Sequence, residues 1–181
     1  MLYLILGLLL WSGAHLFGRI LPRQRQALGM PGKGLVALGV LAGLVLMVIG
    51  YRAADPGTIY WGRHPATTGI ADLLMLFAVY LFAVSGLRTG LARVIRHPQL
   101  TAVKTWAVAH LLVNGDLPSF VLFGGLLAWA VVSVIVINRA EPRKVLPPAP
   151  RHREIAAVIA TLVVYALIAW LHGWLGYDPF G

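Results

Sequence analysis

Residues 34–51 read GLVALGVLAGLVLMVIGY, from Gly34 to Tyr51, and hold no charged side chain. As an α-helix rising 1.5 Å per residue, this run is about 27 Å long. That is close to the roughly 30 Å hydrocarbon layer of a bilayer. Five further apolar runs flank it: Leu2–Phe17, Thr68–Leu87, Thr101–Asn114, Pro118–Ile137 and Ile155–Leu175. Each is bounded by charge, Pro or Gly, and none alternates with the two-residue period a membrane barrel requires. Helices satisfy every backbone group within the segment, which lipid demands. The expectation is an all-α polytopic membrane protein, a bundle of about six transmembrane helices forming one domain over residues 1–181.

Composition agrees. Of 181 residues, 59% are hydrophobic and 12% charged, against about 25% charged in soluble domains. The mean hydropathy is +0.81. There is no cysteine, which excludes disulfides, thiolate metal sites and a Cys nucleophile. The first run lacks a basic start and a small-residue cleavage site, so it reads as a retained helix.

Basic residues set the orientation. All Lys and Arg except Arg52 and Arg63 fall in the first, third and fifth loops. The positive-inside rule puts those loops in the cytoplasm and both termini outside, in the periplasm of a bacterial inner membrane. Tyr51, Tyr60, Trp61, Trp174 and Tyr177 would form the outer aromatic belt. The net charge of +9 then marks a membrane face that touches anionic lipid. Loops this short leave no room for a nucleic-acid module. Arg88–His97 reads as a short interfacial amphipathic helix, and Leu146–Arg151 as a stiff connector. Gly39, Gly43 and Gly50 give the second span a smooth packing stripe.

Ionisable groups at membrane depth call for an explanation. The candidates are His15, Asp72, His110, Asn114, Asp116 and His172. Counted from Arg19, His15 lies about 6 Å inside the basic boundary; counted from Lys104, His110 lies about 9 Å inside it. His172, about 26 Å from that boundary, belongs to the opposite interface. Two imidazoles from different helices at equal depth can clamp one metal, and a haem fits such a place. Trp11 shares a face with His15, and Trp106, His110 and Asn114 form an i, i+4, i+8 stripe. Asn114 could donate to a ligand from behind the imidazole. Arg96, with Arg19, Arg23 or Lys104, could pair with haem propionates. Asp72 and Asp116 fall near the outer boundary as cap or interface residues. No acid pair, nucleophile elbow or phosphate loop is present.

The run RHPQLTAVKTWAVAHLLVNGDLPSFVLFG, Arg96 to Gly124, resembles the NnrU family of bacterial membrane proteins, and the resemblance extends over essentially the whole chain. It implies an integral membrane protein linked to nitrate, nitrite and nitric oxide metabolism. It also implies kinship with plant 15-cis-zeta-carotene isomerase, which carries haem b on two histidines. By motif those are His110, in Trp-x-x-Ala-His, and the first-helix His15. Iron at His15 and His110, with Trp11, Trp106, Asn114, Arg96 and His97 around the cofactor, is the resulting expectation. In the plant isomerase a Cys stands three residues before the motif histidine; here that place is Ala107, so thiolate exchange has no donor. A lipid-soluble polyene is the substrate class the kinship implies. Two other functions are open. One is a non-enzymatic accessory to a reductase or its maturation subunit. The other is a methyltransferase of the isoprenylcysteine type, which Arg96-His97-Pro98 resembles, with Glu141 as the acid.

Overall fold

The computed structural model describes residues 1–143 and 145–180. In chain order its helices are α1 (Leu2–Ile20), α2 (Pro22–Ala27), α3 (Gly29–Arg52), α4 (Pro65–Leu87), α5 (Leu91–Val94), α6 (Pro98–Val113), α7 (Leu117–Ser119), α8 (Gly125–Ala140) and α9 (Arg151–Trp174). A π-helical turn over Phe120–Gly124 joins α7 to α8. The fold is thus all-α, and the chain is a polytopic membrane protein. Five stretches are long and apolar enough to cross a bilayer: α1, α3, α4, Leu117–Ala140 and α9. Of the six expected spans, α6 alone falls short. Its 16 residues make about 24 Å. Outward-facing Leu35, Leu38 and Leu41 of α3 and Leu162, Leu167 and Trp170 of α9 are exposed. In water such faces would drive aggregation; in lipid they are solvated.

Two boundaries moved in ways that matter. The first span passes its expected end at Phe17: α1 runs on to Ile20. More important, α6 starts at Pro98 and not near Lys104. Proline at the first helical position gives up no hydrogen bond and brings the right φ. The expected interfacial helix over Arg88–His97 is reduced to the single turn α5, which Arg88 enters in the left-handed conformation (φ 53°). The expected connector after Leu146 has no regular structure up to Pro150.

The chain forms two compact units. The first comprises Met1–Tyr60 and Gly115–Ala140; the second comprises Trp61–Asn114 and the chain from Glu141 onward. In the first unit α1 packs along α3, with α8 against α1. The glycine stripe works as expected. A Cβ on Gly43 would stand 2.8 Å from the Trp11 backbone nitrogen, and one on Gly7 would stand 2.6 Å from that of Met47. Gly50 is pressed just as closely against Leu4. Only hydrogen side chains let two helix backbones come this near. The seam therefore fixes α1 at Trp11, one turn before His15.

In the second unit α4 packs between α6 and α9. His64 caps α4: its Nδ1 accepts from the Ala66 amide, and its own amide donates to Thr67 Oγ1. Glu154, in the first turn of α9, accepts from the Gly90 amide. Arg143 donates to the carbonyls of Arg93 and Val94 at 2.7 and 2.9 Å, tying the segment after α8 to α5.

Candidate functional site

In the first unit, His15 is half-buried between two indoles. Its ring centroid lies 4.3 Å from that of Trp11 and 5.0 Å from that of Trp129. Nδ1 of His15 lies 2.9 Å from the Trp11 carbonyl. A carbonyl can only accept, so Nδ1 is the protonated nitrogen and Nε2 holds the lone pair of the neutral ring. Metal-binding histidines are commonly held in this way. The indole nitrogens of Trp11 and Trp129 are buried and have no hydrogen-bond partner among the described residues. Leaving a buried donor unmade costs about 1–3 kcal/mol. Both indole rings pack on the same imidazole.

In the second unit, His110 repeats the turn. Its Nδ1 donates to the Trp106 carbonyl at 3.0 Å, and its ring lies 5.0 Å from that of Trp106. The sequences match as well: Trp11-Ser-Gly-Ala-His15 and Trp106-Ala-Val-Ala-His110 share Trp-x-x-Ala-His. This repeat was readable from the chain alone. Trp129 was not, because nothing local ties it to His15 114 residues earlier.

His110 lines a cavity with Arg63, Asp72, Asn114, Tyr165 and His172, among apolar groups that include Met75 and Ile168. Nδ1 of His172 donates to the Ile168 carbonyl at 2.8 Å, so this third imidazole also presents Nε2. The cavity revises the depth reading. Measured from Pro98, His110 is about 18 Å into α6 and one turn from its far end. The 9 Å count from Lys104, which matched His110 to His15, therefore loses its basis. His172 does lie at the far end of its helix, as expected, and His110 joins it there.

The other expected site residues are placed as follows. Asn114 lines the cavity, but its Nδ2 donates to the His110 carbonyl at 2.8 Å, so it closes the end of α6. Trp61 does the same from outside the helix, donating to the Leu111 carbonyl at 2.9 Å. Arg96 donates to the Glu141 backbone carbonyl, and His97 takes the N-cap position of α6. Arg96 and Glu141 thus meet through the main chain. Asp116 is a cap, accepting from the Ser119 amide at 2.8 Å. Asp72 lines the cavity instead of capping a helix. No group of three or more His, Asp or Glu suited to a metal ion occurs among the described residues.

A family model described as NnrU protein matches residues 3–179, nearly the whole chain, and the chain belongs to that family. No curated protein matches. No solved structure matches either.

Proposed function

Starting from a membrane protein of the NnrU family, we propose that the chain binds haem b through Nε2 of His15 and His110. The observation that carries this reading is the shared turn: two Trp-x-x-Ala-His segments, each donating Nδ1–H to the tryptophan carbonyl four residues back. The tie fixes the tautomer and the ring orientation, and it raises the basicity of Nε2 toward iron. The donor chemistry around His15 fits the group as well. The imidazole stands between two aromatic rings, with Nδ1 tied to the Trp11 carbonyl.

Bound haem supplies one-electron redox chemistry and an iron centre for small ligands, and the protein tunes both through its axial groups. The side chains do the holding. Trp11 and Trp129 keep water from the His15 ring, and α3 holds Trp11 in place through Gly43. Asn114 and Trp61 close the end of α6 and so keep His110 in register. The family's link to nitrogen-oxide metabolism makes redox or ligand-sensing service to a reductase the preferred role, with the reductase or its maturation subunit as partner. Isomerisation of a polyene would have to proceed without a thiolate, since Ala107 replaces the cysteine of the plant isomerase.

A second reading comes from the cavity of the second unit. His110 and His172 line it together, and both have Nδ1 tied to the backbone. There the iron ligands would be His110 and His172.

Absorption spectra test both readings. The protein purified from haem-replete cells should show a Soret band that shifts with dithionite. His15→Ala and His110→Ala should each lose it, and His172→Ala should keep it. Loss in His172→Ala with retention in His15→Ala selects the second reading. A colourless wild-type protein overturns both.

A further inference from the structure

One wall of the cavity around His110 and His172 is not helical. Helix α9 ends at Trp174, and Gly176 turns the chain back with φ +87°. The Gly176 amide donates to the Gly173 carbonyl at 3.1 Å, and the Tyr177 amide to the His172 carbonyl at 2.9 Å. That pair of bonds, with glycine in the left-handed conformation, ends a helix by reversing the chain. Beyond the turn, the Phe180 amide donates to Asp178 Oδ1 at 2.9 Å, and Pro179 joins the lining of the cavity. Two contacts hold this strap down. Arg63, two residues before α4, donates to the Asp178 carbonyl. Phe180 lies near Tyr165 of α9, with ring centroids 6.4 Å apart. Arg63 and Tyr165 also line the cavity, so the strap is anchored on the cavity's own walls.

We propose that residues 175–180 are a gate on this cavity, which lifts about Gly176 to admit small polar solutes. The cavity has a volume of about 80 Å³, room for several waters. Asp72, His110, Tyr165 and His172 give it a carboxyl, two imidazoles and a phenol, which suit a small polar molecule better than a lipid chain. The strap follows a span and Arg63 precedes one, so the gate stands where spans meet water. It is lightly held: Leu175, Tyr177 and Phe180 are exposed. A segment with few buried contacts lies at the low end of local stability and opens before its neighbours. Glycine supplies the backbone freedom for a hinge. The gate operates whichever imidazoles hold iron.

The chain has no cysteine, so a single introduced thiol reports on the cavity. Thr68 is buried and lines it. The test is the rate at which a water-soluble methanethiosulfonate labels Thr68→Cys in the full chain in detergent, with exposed Val94→Cys as the reference. Where closing outpaces labelling, that rate follows the open fraction. Phe180 does not line the cavity, so Phe180→Ala acts only through the strap and should speed labelling about threefold to tenfold. A Cβ on Gly176 would meet nothing within 4 Å, so Gly176→Ala strains only the backbone and should also speed labelling several-fold. Deleting the chain from Asp178 onward should speed it by roughly tenfold or more. The Val94→Cys rate should stay the same throughout. Labelling of Thr68→Cys as fast as Val94→Cys in the intact chain overturns the proposal, as does a rate unchanged within twofold by all three alterations.

Discussion

Asp116 accepts from the Ser119 amide and hydroxyl, both at 2.8 Å, and the Ser119 hydroxyl lies 2.9 Å from that of Tyr51. A carboxylate only accepts, so Ser119 donates to Asp116 and Tyr51 donates to Ser119. Ser119 is fully buried, so removing Asp116 strands a hydroxyl and an amide. Asp116→Ala should cost about 1–3 kcal/mol, and Tyr51→Phe about 1 kcal/mol. Thermal melts in detergent should rank wild type above Tyr51→Phe, and Tyr51→Phe above Asp116→Ala. The cap was legible in the sequence, because Asn114-Gly115-Asp116 has the composition of a turn. Tyr51, 68 residues from Ser119, was not, since local pattern carries no long-range pairing.

The α1–α3 seam decides whether the His15 cluster exists. Gly43→Leu would drive a side chain into the Trp11 backbone, 2.8 Å from where its Cβ would stand. Neither partner is a flexible side-chain tip, so the helices must part. The variant should lose stability, bury Trp11 less and bind haem less well, as tryptophan fluorescence and haem content can show. Gly39→Ala is the control. Its Cβ would meet that of Ala14 at 3.2 Å, which a small shift relieves. This stripe was readable from glycine spacing on an apolar helix. The start of α6 was harder to see, because Gln99, Thr101 and Lys104 dilute its first turns and mask a helix in hydropathy. The signal that marks its true beginning is Pro98 at the first helical position. Missing it shifted His110 by two turns and hid its company with His172.

For the whole molecule, charge asymmetry is the main source of orientation. We infer that the basic loops face the cytoplasm and both termini face the periplasm, because all Lys and Arg except Arg52, Arg63 and Lys104 lie in the first, third and fifth loops or in the helix ends that flank them, and from the positive-inside rule. Alkaline phosphatase fused after Phe180 should therefore be active, and fused after Arg96 inactive; the reverse pattern would invert the topology. Hydropathy made the helical membrane fold legible. It could not show two units, because the division depends on which helices pack, and near-identical apolar faces do not encode their partners. The central claim, imidazole ligation of haem iron by His15 and His110, is tested most directly by chemical rescue. His15→Gly and His110→Gly should each lose the Soret band and regain it when free imidazole is added during haem loading. Wild-type haem content in either variant, before any imidazole is supplied, would contradict it.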